Sequence, residues 1–289
     1  MLERGVTSQV RRNGLYLSTN KLKSHFFLID SKGSGNMEPK PMLVTKDLTK
    51  SFGSLVAVNR VNLYAKEKEI TVLMGPNGAG KTTLVNLCTG ILSPDAGEVF
   101  FNGINITGWP IHRVYTVGLV RTFQIPQLFL TLTVLDNVIS AIRSSGESPL
   151  KALSKRFWEK EEEKHVEKAL RIIQDVGLGK YWDIPACELG AAHLKLLELA
   201  RALASHAKMI VLDEPIGGVD PAFAHEILNY VRKIKDEKGI TFLIIEHRID
   251  IVVPYADYAY CMVNGTVIAE GAPKDVVNNT EVITSYIGE

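Results

Sequence analysis

The stretch that decides the fold is "EITVLMGPNGAGKTTLVNLCTGIL", residues 69–92. Its centre, "GPNGAGKTT" at 75–83, has the spacing G-x-x-x-x-G-K-[ST] of a phosphate-binding loop. The apolar run before the loop predicts a buried strand, and the residues after it predict a helix. This is the setting that such a loop requires, so the sequence predicts a nucleotide-phosphate site between a strand and a helix.

The residue types in this loop suit phosphate binding. Glycines permit the tight turns that aim backbone N–H groups at phosphate oxygens, and the helix start adds the positive end of its dipole. Lys81 brings a charge to the outer phosphates, and the Thr82 hydroxyl can ligate Mg²⁺. The predicted nucleotide-binding residues of the loop are Gly75, Pro76, Asn77, Gly78, Ala79, Gly80, Lys81, Thr82 and Thr83.

The composition excludes several classes of protein. The 289 residues are 46% hydrophobic and 22% charged, as in soluble globular proteins. A formal net charge of +1 gives no electrostatic basis for a nucleic-acid partner. The three cysteines lack metal-ligand spacing and are typical of reduced, buried residues. No apolar run reaches the ~20 residues that cross a bilayer, so any membrane role is expected to go through a partner.

Apolar runs alternate with helical stretches, which predicts an α/β fold around a largely parallel sheet. "MIVLDE" (209–214) and "TFLIIE" (241–246) are unbroken apolar runs, typical of strands buried on both faces. "GEVFFNGINI" (97–106) and "AYCMVNGTVIAEG" (259–271) each contain an Asn-Gly turn signal. The first predicts an antiparallel portion, and the second predicts a hairpin.

The chain is expected to divide into several segments. Polar residues 1–36 are excluded from the fold as an extension that is non-native or disordered. The charged, helical pattern between Gln127 and Gly190 predicts an inserted helical subdomain. The expected boundaries are 42–126 for the first part of the nucleotide-binding core, 127–190 for the helical subdomain, 191–256 for the second part of the core, and 257–289 for a hairpin and helix.

Two acidic residues follow the apolar run "MIVLD". Asp213 can deliver a carboxylate to a metal ion, and Glu214 beside it can polarise an attacking water. Taken alone, an acidic pair is an ordinary strand end. Its place after a phosphate-binding loop favours the metal and water roles.

The order of motifs resembles the nucleotide-binding subunit of ABC transporters over residues 42–289. The motifs are "GPNGAGKTT", Gln124 in "RTFQ", "LLELARALA", "VLDEP", "GGVDP" and His247 in "IIEHR". Within that family, "SFGSLVAVNRVNL", "LTLTVLDNV" and "NGTVIAEGAPKDVVNN" resemble the ATPase subunits of branched-chain amino acid importers. The resemblance implies a P-loop NTPase (ABC ATPase) core with an antiparallel β portion and an inserted helical subdomain.

The resemblance also implies roles for residues outside the phosphate loop. Phe52 would stack on adenine with Val58 nearby, although Phe52 is alternatively a core aromatic. Gln124 would sense the metal and the γ-phosphate, and is otherwise a surface glutamine. His247 would bind the γ-phosphate, and is otherwise structural. Asp220 would lie in the loop that reaches a second subunit.

The resemblance implies ATP and Mg²⁺ as cofactors, with Thr82, Gln124 and Asp213 as metal ligands. Glu214, His247, Gln124 and Lys81 would be the catalytic residues. The partners implied are a second ATPase subunit and membrane-spanning permease subunits. The chain would then lie in the cytoplasm, on the inner face of the membrane.

The signature loop departs from the family pattern. Where the family has L-S-G-G-Q, this chain has Leu189, Gly190, Ala191, Ala192 and His193. Losing the Ser hydroxyl removes a hydrogen bond to the γ-phosphate worth about 1.5–3 kcal/mol. The added methyl groups are expected to cost more, because glycine often marks close backbone approach or positive φ. Two readings stay open: an asymmetric pair with a different ATPase subunit, or a homodimer that tolerates the alanines.

The resemblance therefore implies an ATP-hydrolysing subunit of an ABC importer for branched-chain amino acids, which couples ATP binding and hydrolysis to motion of the membrane domains. Alternatives are a regulatory or hydrolysis-poor subunit that acts only with a second ATPase subunit, an importer of another solute such as amides or urea, and an ABC ATPase outside transport.

Overall fold

The structure is a computed structural model that describes residues 40–142 and 155–287. The predicted extension at residues 1–36 lies outside the described residues. Across the two described ranges, no helix is both long and apolar enough to cross a membrane.

Ten strands occur in the described residues and form two sheets. They are β1 Pro41–Phe52, β2 Leu55–Lys66, β3 Ile70–Met74, β4 Ala96–Phe101, β5 Ile104–Asn105, β6 Leu119–Arg121, β7 Met209–Asp213, β8 Thr241–Ile245, β9 Tyr258–Val263 and β10 Thr266–Gly271. The four-stranded sheet has the order β2-β1-β4-β5 and is antiparallel. The six-stranded sheet has the order β10-β9-β3-β8-β7-β6. β9 and β10 run antiparallel to each other, and all other neighbouring strands of this sheet are parallel.

Helices lie between the strands along the chain, and two follow the last strand. In the described part of the chain they are α1 Lys81–Cys88, α2 Ile111–Val117, α3 Val134–Ile139, α4 Lys155–Asp175, α5 Ala191–Ala204, α6 Pro221–Lys238, α7 Ile249–Val252, α8 Pro273–Val277 and α9 Thr280–Ile287. Parallel strands need crossover connections, which helices usually supply. Helices occur between the strands of this sheet, so the α/β class predicted from the sequence is confirmed.

The central strands are buried along their whole length. Every residue of β3, β7 and β8 is buried. Apolar side chains on both faces of a strand are stable only where a layer covers each face, which explains the unbroken apolar runs. All three strands were predicted from the sequence, and these predictions are confirmed.

The predicted antiparallel portion and the predicted hairpin are both present. The turn between β4 and β5 has φ 47° at Asn102 and 78° at Gly103. The turn between β9 and β10 has φ 46° at Asn264 and 79° at Gly265. Positive φ at both central residues is the geometry that Asn-Gly favours in two-residue hairpin turns.

Three helices form a group beside the parallel sheet. α3, α4 and α5 contact one another, and Ile173 and Leu197 lie in the same buried cluster. The sequence places the end of the helical subdomain at Gly190, where α5 begins. That boundary stays a prediction; α5, which runs to Ala204, contacts both α3 and α4.

The topology gathers the predicted site residues at one edge of the parallel sheet. The carboxyl ends of parallel strands lie along the same edge, which is where ligands bind in open α/β sheets. The phosphate loop follows β3, Glu214 follows β7 and His247 comes two residues after β8. Gln124 follows β6 at the end of the sheet.

Candidate functional site

The glycines of the phosphate loop are required by backbone contacts and by φ. Gly75 has φ 148°, and a Cβ there would lie 2.1 Å from the carbonyl oxygen of Met262. Gly80 has φ 96°, and its Cβ would lie 2.2 Å from the carbonyl oxygen of Ala57. A Cβ on Gly78, at φ 74°, would meet no atom within 4 Å beyond the adjacent residues. The loop therefore packs against β9 and β2 while Gly78 faces open space.

The Lys81 side chain lies along the same loop. Its ammonium donates hydrogen bonds to the carbonyl oxygens of Gly75 at 2.6 Å and Pro76 at 2.8 Å. α1 begins at Lys81, and its N-cap, Gly80, makes no side-chain capping bond. The N-cap side chain therefore does not accept hydrogen bonds from the backbone N–H groups of the first turn. The Thr82 side chain in that turn is exposed.

Asp213, at the end of β7, is paired with an arginine that sequence reasoning missed. The guanidinium of Arg121 lies 2.6 Å from the Asp213 carboxylate. Arg121 also donates a hydrogen bond to the side-chain oxygen of Asn86 on α1. One side chain thus joins the helix after the phosphate loop to the strand that carries the candidate metal ligand.

Glu214 has a backbone conformation that costs energy and is held by several contacts. Its φ is 48°, a region that costs about 1–3 kcal/mol for a residue other than glycine. Its N–H donates to the carbonyl oxygen of Ile245 at 3.0 Å. Its own carbonyl oxygen accepts from the Lys195 ammonium at 2.8 Å.

The Glu214 carboxylate meets two other predicted site residues. The Gln124 side-chain amide donates to it at 2.7 Å. The Nδ1 atom of His247 lies 3.9 Å from its other oxygen. These three residues come from separate parts of the sequence, and the fold brings their side chains together.

A buried carboxylate beside His247 was also missed. Glu246 is fully buried. It accepts hydrogen bonds from the backbone N–H groups of Ile216 at 3.1 Å and His247 at 3.2 Å. Burial raises the pKa of Glu246, and the hydrogen bonds from Ile216 and Arg248 offset part of that rise.

The two residues predicted at the adenine end lie in different environments. Phe52, at the end of β1, is 47% exposed, so the alternative of a core aromatic is not supported. The Lys50 ammonium lies 5.8 Å from the centre of its ring. Val58 is fully buried among apolar residues of β1 and β2. Its side chain is therefore a core group here, and the expectation of a nucleotide contact through it needs correction.

With this geometry established, the chain can be placed in a family. The profile of the ABC transporter family matches residues 58–217, more than half of the chain.

The chain belongs to the ABC transporter family.

Curated relatives match 86% of this ABC transporter chain. It is similar to the probable branched-chain amino acid transport ATP-binding protein LivG of Archaeoglobus fulgidus, with 46% identity over 247 residues, 86% of this chain and 95% of that protein. It is also similar to the high-affinity branched-chain amino acid transport ATP-binding protein BraF of Pseudomonas aeruginosa, with 34% identity over 252 residues, 86% of this chain and 99% of that protein. The predicted resemblance to this importer class is confirmed.

Solved structures of ATP-binding cassettes have the same fold. The ADP conformation of a cassette of an ABC transporter is 44% identical with a TM-score of 0.76, covering 86% of this chain and 100% of that chain. A nucleotide-free cassette is 44% identical with a TM-score of 0.75 and the same coverage. The predicted fold class, an ABC ATPase core, is confirmed.

The signature loop of this ABC transporter chain accommodates its alanines without backbone strain. Gly190 is the N-cap of α5 with φ −68° and ψ 159°, which any residue can adopt. Ala191 and Ala192 begin the helix, and neither has positive φ. The expectation that these alanines are costly is therefore wrong for the chain's own backbone, because both positions are ordinary helical ones.

His193 of the signature loop and Asp220 also have partners within the chain. The ring of His193 packs edge-on against Tyr181 and Phe223, with centroid distances of 4.7 and 5.2 Å. Asp220 is the N-cap of α6, and its carboxylate accepts the Phe223 N–H at 3.1 Å. His193 therefore stabilises the packing of α5 against α6, while Asp220 is exposed at the start of α6.

Proposed function

We propose that this chain is the ATP-hydrolysing subunit of an ABC importer for branched-chain amino acids. The observation that carries the proposal is the Glu214 carboxylate, with the Gln124 amide at 2.7 Å and His247 at 3.9 Å. A carboxylate so placed, at the same sheet edge as a phosphate-binding loop, can accept the proton of a water that attacks the γ-phosphate. The names of the relatives support the amino acid class.

The side chains near the loop fit a Mg²⁺-nucleotide complex. Thr82, Gln124 and Asp213 supply hydroxyl, amide and carboxylate oxygens, which are the donors that Mg²⁺ prefers. Within residues 40–142 and 155–287, no group of three or more His, Cys, Asp or Glu side chains could hold a metal ion. Mg²⁺ with nucleotide needs no such cage, because phosphate oxygens and waters complete its shell. When bound, the ion would neutralise charge on the β- and γ-phosphates.

Each part of the candidate site then has a task in the proposed reaction. The open backbone at Gly78 and the first turn of α1 bind phosphate oxygens through N–H groups. Lys81 is held in the loop and supplies positive charge to the outer phosphates. Glu214 orients the water and accepts its proton, while Gln124 and His247 hold that carboxylate in place. Phe52 offers an exposed ring face for adenine.

An exposed apolar surface follows Gln124 and suits a membrane-spanning partner. Its members are Ile125, Phe129, Leu130 and Leu132, all exposed. Clustered apolar side chains at a surface mark interaction sites, because water contact with them is unfavourable. We assign this surface to permease subunits, which would place the chain on the inner, cytoplasmic face of the membrane. The adjacency of this surface to Gln124 supports transmission of nucleotide binding to the permease.

A second ATPase subunit completes the proposal. The signature loop at the N-terminus of α5 and Asp220 would face the other subunit's nucleotide. Gly190 lacks the serine hydroxyl of the family pattern, which favours pairing with a different subunit whose own signature is intact. The alternatives are a self-paired ATPase that tolerates the change and a regulatory subunit that does not hydrolyse ATP.

The test is ATP hydrolysis by the purified chain as a function of its concentration, with Glu214→Gln as the blank. A rate per subunit that rises with concentration supports self-pairing. Hydrolysis only after addition of a partner ATPase subunit supports the asymmetric pair. Nucleotide binding without hydrolysis under either condition would overturn the ATPase proposal in favour of a regulatory role.

The solute is tested in the assembled transporter. ATP-dependent uptake of leucine, isoleucine or valine into vesicles is expected, with Glu214→Gln as the inactive control. Uptake of amides or urea in place of these amino acids would contradict the assigned solute while leaving the ATPase assignment intact.

A further inference from the structure

α5 presents three charged side chains on one face. Lys195, Glu198 and Arg201 are spaced three residues apart, so they lie in one row along the helix. None is fully exposed. Each of them bonds to the backbone of a segment that follows a strand of the parallel sheet. These three residues are called the α5 row below.

Two members of the row hold both ends of a short segment, residues 123–127. The Glu198 carboxylate accepts the N–H of Phe123 at 2.8 Å, and the backbone of Gln127 also lowers the pKa of that carboxyl. Arg201 donates to the carbonyl oxygen of Gln127. The segment contains no helix or strand of its own, so these bonds replace the regular backbone hydrogen bonds that it lacks.

The residues between the two held ends are those that reach outward. Gln124 extends to the Glu214 carboxylate at 2.7 Å. Ile125 is 74% exposed at the apolar surface assigned to the permease. The third member of the row, Lys195, bonds the Glu214 carbonyl oxygen at 2.8 Å. The α5 row thus contacts residues 123–127, which carry Gln124, and also the backbone of Glu214. The side chains of Gln124 and Glu214 meet at the candidate catalytic carboxylate.

We infer that Glu198, supported by Arg201, is a positioning residue that sets the location of Gln124 relative to the γ-phosphate, and thereby ties the signature helix to the nucleotide site of its own subunit. The inference rests on the proposed function. Because α5 begins at the signature loop, a shift of residues 123–127 on nucleotide binding would shift the loop offered to the second subunit.

The chemistry of Glu198 supports a positioning role. Burial raises its pKa, although the hydrogen bond from Phe123 and the charge of Lys195 partly offset that effect. A carboxylate kept in a partly buried place is retained there through its hydrogen bonds. A glutamine has nearly the same shape, but its NH₂ group cannot accept a hydrogen bond. Glu198→Gln therefore replaces the charged acceptor of the Phe123 N–H with a neutral amide oxygen without leaving a cavity.

The first measurement is amide hydrogen exchange of the full-length chain without nucleotide. Glu198→Gln is expected to speed exchange at residues 123–127 by about tenfold, because the Phe123 N–H loses its charged acceptor and keeps only a weaker, neutral one. Glu237→Gln is the matched control, since Glu237 is exposed on α6 and pairs only loosely with Lys233 at 4.0 Å. Unchanged exchange in Glu198→Gln would overturn the inference at its first step.

The second measurement is equilibrium binding of a non-hydrolysable ATP analogue and of ADP, each with Mg²⁺. Gln124 is proposed to sense the γ-phosphate, which only the analogue carries. Glu198→Gln is therefore expected to weaken analogue binding about five- to tenfold and to leave ADP binding unchanged. The double variant with Gln124→Ala is expected to match Gln124→Ala alone, because both changes remove the same contact.

The outcomes separate positioning from a purely structural role. Equal weakening of both nucleotides, or an additive effect with Gln124→Ala, would overturn the inference and leave Glu198 a stabilising residue. Arg201→Lys is the second variant, expected to give a smaller shift in the same direction. If the wild-type chain bound neither nucleotide, the proposed function itself would fail, and the hydrogen exchange would still reveal whether Glu198 holds the segment.

Discussion

The guanidinium of Arg121 lies 2.6 Å from the carboxylate of Asp213, and each side chain is only 6% exposed. Removing one partner of such a buried pair leaves the other charge without compensation. We therefore expect Arg121→Leu to lower the free energy of unfolding by about 3–5 kcal/mol, measured by urea denaturation. Lys50→Gln is the control, because its ion pair with Asp95 is more exposed and is screened by solvent. Equal effects of the two substitutions would contradict the importance of the Arg121 pair.

Lys81→Ala is expected to reduce ATP affinity by about 100-fold, because the outer phosphates lose a charged hydrogen-bond donor. Isothermal titration of ATP into the purified variant measures this change. Lys180→Ala, a change at an exposed lysine, provides the control. Wild-type affinity in Lys81→Ala would refute the role given to the ammonium.

Glu214→Gln is expected to bind ATP and to lose hydrolysis by about 10²–10⁴-fold, because the amide cannot accept a proton from water. Binding and single-turnover hydrolysis are measured on the same preparation, in the presence of the second ATPase subunit if one is needed. Glu226→Gln, an exposed change on α6, is the matched control. Turnover close to that of the wild type would remove Glu214 from the mechanism.

Phe52 and Val58 are expected to respond oppositely to truncation. Val58→Ala removes two buried carbons and should cost about 2 kcal/mol of unfolding free energy with little effect on ATP affinity. Phe52→Ala should weaken ATP binding with little effect on stability, because its ring is half exposed. Urea denaturation and nucleotide titration on both variants distinguish the two roles. A loss of ATP affinity without loss of stability in Val58→Ala would restore Val58 to the nucleotide surface.

The buried Glu246 predicts how stability changes with pH. Burial raises its pKa in the folded chain, so the folded state holds a proton that the unfolded state has released. This contribution is fully present below the ordinary pKa and is lost as pH rises through the raised value. The free energy of unfolding of the wild type should therefore fall with rising pH relative to Glu246→Gln, which cannot titrate. Urea denaturation from mildly acidic to mildly alkaline pH tests this, and parallel curves would contradict it.

Local sequence patterns were enough to predict the elements whose conformation depends mainly on residues close together in the chain. The phosphate loop was predictable because its glycines, Lys81 and Thr82 lie within nine consecutive residues. β7 and β8 were predictable because a strand covered on both faces needs apolar residues throughout. The Asn-Gly turns were predictable because both of their residues adopt positive φ at low cost.

Residues whose roles depend on distant partners were not predictable in this way. Arg121 and Asp213 are 92 positions apart, and Phe123 and Glu198 are 75 positions apart. No spacing rule connects such residues, because the fold alone brings them into contact. Val58 was misjudged for a related reason: which face of a strand becomes buried depends on the layer packed against it.

The contact of Gly75 with the backbone of Met262 joins the phosphate loop to β9, a strand almost two hundred residues further along the chain. β3, which carries that loop, pairs with β8 and β9 and with no strand made before them. During synthesis on the ribosome, the nascent chain therefore cannot complete its nucleotide pocket until β9 has left the exit tunnel. Until then β3 is an apolar strand with unpaired edges, the kind of segment that chaperones shield from aggregation.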